Sequence, residues 1–168
     1  MPEQIELSVT QKLDDRWTVM AGATWTRWSR FKELKIMNDG GGIPVSQGDG
    51  ILSYVPENWK DVWAFALGAS YQYSDRLMLK TGYAYDQSPV QNEYRTARIP
   101  DSNRNWLTVG AKYNLMEGWT IDAAYGYMFA ATAKVNDQGH YGLQVGQSLN
   151  GEYKLRAHVL SASLTKRF

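Results

Sequence analysis

The sequence predicts an all-β fold, a transmembrane antiparallel β-barrel wall of about seven strands, half of a barrel of roughly fourteen, with Phe168 at its C-terminus. Three observations predict it. Apolar and polar or small residues alternate with period two through segment after segment. Tight polar turns and long polar loops follow one another in strict order. Aromatic residues sit at the ends of the segments, with aliphatic and small ones at the middles.

The first strand, about residues 5–13, is the weakest, with Ile5, Leu7, Val9 and Leu13 alternating. The turn Leu13-Asp14-Asp15-Arg16-Trp17 leads into a second strand, where Trp17, Val19, Ala21, Ala23 and Trp25 oppose Thr18, Met20, Gly22, Thr24 and Thr26. After a polar stretch at about residues 37–58, Trp63, Phe65, Leu67, Ala69, Tyr71 and Tyr73 mark one face of a third strand. An eighth strand within residues 43–55 is not expected, because Pro44, Gly48 and Gly50 break it. Tyr73-Ser74-Asp75-Arg76-Leu77 turns into a fourth strand carrying Leu77, Leu79, Thr81, Tyr83 and Tyr85 opposite Met78, Lys80, Gly82, Ala84 and Asp86. A second long stretch, residues 86–103, precedes a fifth strand with Leu107, Val109, Ala111, Tyr113 and Leu115 on one face and Lys112 on the other. Leu115-Met116-Glu117-Gly118-Trp119 leads to a sixth with Trp119, Ile121, Ala123, Tyr125, Tyr127 and Phe129 against Asp122. After residues 130–152 comes a seventh, residues 153–168, with Leu160, Ala162, Leu164 and Phe168 aligned.

Composition agrees with a wall that has lipid on one side. Aromatics make up 13% of the chain, with seven Trp and eleven Tyr, yet the mean hydropathy is −0.47. Alternation reconciles these values, since lumen-facing residues dilute the apolar face. Tyr and Trp at strand ends form the two girdles expected at headgroup level. Lys80, Lys112 and Asp122 fall in mid-strand on the opposite face, where a polar lumen spares them the cost of hydrocarbon contact. The formal charge of +1 offers no field for nucleic acid, and the absence of cysteine excludes disulfides and thiolate metal sites. No apolar run approaches the roughly 18 residues of a membrane helix.

Seven strands cannot close antiparallel on themselves, so the chain is expected to be a piece of a longer barrel. Met1-Pro2-Glu3-Gln4 has neither the basic nor the apolar region of a secretory leader, which fits the same expectation. The terminal Phe168 after alternating apolar positions resembles the C-terminal signature of bacterial outer-membrane proteins, which implies the barrel-insertion machinery as a partner. Lys166 departs from that signature and is expected to snorkel at the rim. The three tight turns then fall on the periplasmic side and the long loops outside.

A more specific resemblance runs from Pro2-Glu3 to Phe168. Asp86-Gln87-Ser88-Pro89-Val90, followed by Arg98-Ile99-Pro100-Asp101-Ser102-Asn103-Arg104-Asn105-Trp106-Leu107, is similar to the D-x-S-P-V…R-x-P-D-x-x-R-x-W-L stretch of the FadL-type long-chain fatty-acid and toluene transporters. Trp25-Thr26-Arg27-Trp28-Ser29-Arg30-Phe31, Trp59-Lys60-Asp61-Val62-Trp63 and Ala133-Lys134-Val135-Asn136 resemble further family motifs in the same order. The resemblance implies a monomeric fourteen-stranded barrel in the outer membrane, plugged by an N-terminal hatch. It also implies uptake of long-chain fatty acids or other hydrophobic small molecules by passive, ligand-gated diffusion. On that resemblance the hatch and first strands are expected to lie outside residues 1–168, and the activity to belong to a parent protein set among outer-membrane lipid and lipopolysaccharide.

Such uptake needs apolar walls and a cation for a carboxylate, with no catalytic residue, cofactor or metal. Candidate ligand-binding cations are Arg95, Arg98 and Arg104 in the motif segment and Lys80 and Lys112 on the lumen face. The competing expectation for each is an ion pair with Asp86, Asp101 or Asp122 that stabilises the barrel interior. Asp39-Gly40-Gly41-Gly42 lacks the Lys-Ser/Thr of a phosphate cradle. Asn136-Asp137-Gln138-Gly139 reads as a turn, and His140 and His158 as loop or rim residues. An outer-membrane lipid hydrolase would need one of those histidines as base beside a nucleophile, and no Gly-x-Ser-x-Gly is present. A structural or adhesive barrel would lack an apolar loop patch, whereas Ile43, Ile51, Leu52, Tyr54 and Val55 supply one in the first loop.

Overall fold

Period-two alternation becomes a two-faced wall in the computed structural model, which describes residues 2–37, 51–116, 118–137 and 148–167. The strands are β1 (Gln4–Lys12), β2 (Trp17–Thr26), β3 (Glu33–Met37), β4 (Ile51–Pro56), β5 (Val62–Gln72), β6 (Leu77–Asp86), β7 (Arg104–Met116), β8 (Trp119–Ala130), β9 (Ala133–Asp137), β10 (Leu149–Tyr153) and β11 (Arg156–Lys166). Seven of them form one sheet in the order β1-β2-β5-β6-β7-β8-β11, antiparallel at every step. At about 3.4 Å per residue and a tilt near 45°, ten residues climb about 24 Å, the height of a barrel's apolar band. β2 and β6 have ten residues, β5 and β11 eleven.

The register keeps each face intact from edge to edge. Trp25 lies opposite Trp63, Phe65 opposite Tyr85, Leu107 opposite both Tyr83 and Tyr127, and Tyr127 opposite His158. Lys80, Lys112 and Asp122 fall on the other face, as the alternation predicts. Among the described residues nothing covers the apolar face, and Leu160 is 82% and Leu67 62% exposed. Lipid is the solvent that suits it.

The turns owe their tightness to local chemistry. Asp14 accepts hydrogen bonds from the backbone N–H groups of Arg16 (2.7 Å) and Trp17 (2.6 Å). Those two donors hold its carboxyl below the usual carboxylate range. At the β7–β8 turn a register shift between Asn114 and Met116 places Met116 opposite Trp119. Lys166 lies opposite Trp119 with its ammonium 5.2 Å from the ring centroid, at the turn rim.

The structure departs from the sequence reading in the loops. Two-stranded ribbons outside the main sheet occupy the third polar stretch, β9–β10, and join the first to the residues just before it, β3–β4. Residues 51–56 therefore do form a strand, paired with β3 rather than with the wall. The seventh strand starts at Arg156, because residues up to Tyr153 belong to β10. Strands of five or six residues are too short for alternation to reveal from sequence alone. Asp39-Gly40-Gly41-Gly42, Ile43, His140 and Phe168 lie outside the described residues.

The small protein core sits at the loop rim. Val55, Val62, Val90, Ala133 and Val135 are its buried apolar residues, contributed by the β3–β4 ribbon, the start of β5, the 87–103 connection and β9.

Candidate functional site

Small residues clear the middle of the lumen face. Gly68 lies opposite Gly82, Gly82 opposite Thr108, Thr108 opposite Gly126, and Lys80 opposite Gly110. With no side chain at Gly110, the Lys80 ammonium passes over β7 and reaches Asp122 Oδ1 on β8 at 3.4 Å. Lys112 faces Asp122 directly in the register. No hydrogen bond or ion pair engages its ammonium among the described residues. One carboxylate thus stands between two ammonium groups, one of them committed to it. A shallow cleft of about 350 Å³ opens beside the pair, lined among others by Lys80, Thr108, Gly110, Asp122, Ser161 and Ser163.

Two of the motif segment's three arginines, Arg95 and Arg104, meet at Asp101. Arg104, at the start of β7, donates to Asp86 Oδ2 at 2.6 and 3.1 Å and to Asp101 Oδ1 at 2.7 Å. Arg95 is buried in the loop and donates to the backbone carbonyls of Asp101 (3.0 Å), Lys134 (3.1 Å) and Val90 (3.5 Å), and to the Asn92 side chain. Burial pulls the Arg95 guanidinium below its ordinary value, against the attraction of Asp101. Arg98 is exposed. The structure therefore gathers Lys80 and Lys112 at one place and Arg95 and Arg104 at another, with Arg98 exposed on the same loop as the latter pair.

The loop that carries them is a hub. Asn103 accepts from the Ser88 N–H at 2.9 Å and donates to the Tyr85 hydroxyl at 2.8 Å, while Ser88 donates to Asp101 at 2.8 Å. Ala131 N–H reaches the Asn103 carbonyl and Lys60 N–H reaches Pro89, so this connection ties together its two neighbours. A cleft of about 420 Å³ lies among Lys60, Ser88, Gln91, Glu93, Arg95 and Thr132.

Two features at this rim had no counterpart in the sequence reading. Trp59 packs edge-on against Trp28 and Phe31, with centroids 5.0 and 4.8 Å apart, and its indole N–H bonds buried Glu57 at 2.8 Å. Glu3 accepts from Arg27 (2.9 Å) and Arg30 (2.8 Å), and chiefly the Arg27 bond lowers its pKa. The Trp28 and Trp59 motifs were the available signal, but their meeting across 31 residues of chain was not.

The model of the family described as outer membrane protein transport protein (OMPP1/FadL/TodX) matches residues 1–168. The long-chain fatty acid transport protein of Escherichia coli K12 is 31% identical over 82% of this chain and 29% of its own length. A putative outer membrane protein of Neisseria meningitidis is 30% identical over 99% of this chain and 36% of its own. Among solved structures, a Pseudomonas aeruginosa FadL homologue superimposes with a TM-score of 0.84 at 30% identity, over 98% of this chain and 35% of that one. The Pseudomonas putida toluene transporter TodX, at 20% identity and a TM-score of 0.60, shares the fold. The chain thus spans about a third of the length of the relatives it matches. Its paired faces and the family match over residues 1–168 agree: this chain belongs to the OMPP1/FadL/TodX family of outer-membrane transport proteins, non-enzymatic β-barrels.

Proposed function

We propose that this chain contributes the C-terminal strands of a barrel of roughly fourteen that takes up hydrophobic compounds by passive, ligand-gated diffusion, with long-chain fatty acids as the first substrate class. The observation that carries the reading is the excess ammonium on the lumen wall: Lys112 faces a carboxylate already held by Lys80. A fatty-acid carboxylate passing along the glycine-cleared face meets a cation it is able to pair with. The Escherichia coli relative's name supports the same substrate class. Capture at the mouth has support in β3, where Leu34 and Ile36 are 44% and 48% exposed, although Val55 opposite Leu34 is buried. That patch argues against a purely structural or adhesive barrel. Arg95 and Arg104, committed to the hub, are proposed as loop-shaping cations rather than ligand contacts, and Arg98 as a surface cation near the mouth.

The test is uptake of radiolabelled oleate and of toluene by cells lacking the gene, complemented with the full-length protein. Lys112→Ala is expected to lower oleate uptake about fivefold, a loss of about 1 kcal/mol for one partly screened ion pair, with toluene uptake unchanged. Equal uptake of both compounds with and without the gene would sink the transport reading. An equal fall for both in the variant would remove the carboxylate contact alone.

A further inference from the structure

The lipid-facing side of the wall carries no acidic or basic residue on six of its seven strands among the described residues. From β1 to β8 that face holds aliphatic, aromatic and small residues, with Gln11, Thr81 and Asn105 as its neutral polar exceptions. All of its basic residues are on β11: Arg156 and His158 at the loop end and Lys166 at the turn end. A lipid-facing arginine or lysine costs about 2–4 kcal/mol at the bilayer midplane and about 0–1 near an interface. Their position at the ends of the strand is therefore the affordable one, and it sets Arg156 and His158 at the level of the outer headgroups.

The two ends differ in what engages them. Lys166 lies over the Trp119 ring. At the loop end, the Tyr125 hydroxyl is 2.7 Å from His158 Nδ1, and the imidazole sits 5.0 Å from the Tyr127 ring. Tyr127 stacks on Phe129 at 5.8 Å, and Phe129 is the register partner of Arg156. The imidazole is thereby fixed through one nitrogen, leaving Nε2 for another partner. Neither Nε2 nor the Arg156 guanidinium is bonded among the described residues. Arg156 and His158, two residues apart on β11, thus share the lipid-facing side of the strand beside this aromatic cluster.

We propose that Arg156 and His158 form a binding site for the phosphorylated headgroup of an outer-leaflet glycolipid, the phosphate-bearing lipid A portion of lipopolysaccharide. A phosphate accepts two parallel hydrogen bonds from a guanidinium fork and a third from an imidazole N–H, while the acyl chains lie along Leu160 and the aromatic girdle. Charge complementarity selects this occupant over a zwitterionic lipid. The site depends on the outer-membrane setting and not on the transport reading.

Native mass spectrometry of the full-length protein in detergent, titrated with bisphosphorylated or dephosphorylated lipid A, tests the proposal. The wild type is expected to hold the bisphosphorylated form about tenfold more tightly than the dephosphorylated one. Arg156→Ala combined with His158→Ala should erase that preference, while Lys166→Ala and oleate uptake stay as in the wild type. The proposal is overturned if the wild type binds both lipids equally, a comparison that needs no variant to fold. It is also overturned if the double variant keeps the preference, or if excess inorganic phosphate displaces the lipid, which would mark a site for free anions.

Discussion

Gly118 holds the β7–β8 turn at φ 77°, in the left-handed region. A Cβ built there would lie 2.6 Å from the Arg167 carbonyl oxygen, which follows β11 directly. Arg167 N–H in turn reaches the Gly118 carbonyl at 2.8 Å, so this residue fastens the chain after the last strand to the turn beside it. Gly118→Ala is expected to lower stability by at least about 1–2 kcal/mol, the cost of a left-handed residue with a side chain. Gly151→Ala, where nothing lies within 4 Å, should be close to neutral. Urea midpoints of the refolded full-length protein in detergent check both, and equal midpoints would refute the strain argument. At this scale much was legible. Period two alone put Lys80, Lys112 and Asp122 on one face, because facing sides follow from parity once strands are in register. Parity gives no reach, however. That Lys80 rather than Lys112 takes Asp122 depends on the bare surface at Gly110, which only coordinates show.

Among elements, the connection from β6 to β7 is where sequence and structure part most. Its Ser88-Pro89 and Ile99-Pro100-Asp101 steps are turn chemistry that stiffens a loop. The hydrogen bonds do staple its two ends together, with Asn103 as the central fastener. What the sequence could not show is that its side chains also hold β9 and the approach to β5, since those contacts join segments far apart in the chain and obey no period. Arg95 illustrates this: a cation that reads as a ligand contact is occupied by three backbone carbonyls. Asn103→Ala leaves the Ser88 N–H and the Tyr85 hydroxyl without their partner. It is expected to destabilise the loop by about 1–3 kcal/mol and leave the wall intact. Limited proteolysis should cut residues 87–103 faster in that variant while the heat-modifiable gel shift persists; loss of that shift would mean the loop supports the wall itself.

For the whole molecule, strand direction decides what the wall is able to do alone. Seven strands that alternate at every step leave β1 and β11 running the same way. Closing the sheet on itself would bring them together in parallel, and so would a twofold pairing of two copies, β1 of one against β11 of the other. Parallel pairing is slightly weaker per residue, and in both cases it would interrupt an otherwise antiparallel ladder. An odd number of further strands restores the alternation, and seven more give the even total usual for bacterial barrels. An open edge in lipid is costly, since each unpaired backbone group there forfeits several kcal/mol with no water to replace the lost bond. Residues 1–168 refolded alone in detergent are therefore expected to run as an unfolded chain on a gel, heated or not. The full-length protein should run as a compact band that slows on heating. A compact heat-sensitive band from residues 1–168 alone would mean that β1 and β11 do pair in parallel, and the wall would then be a barrel in its own right.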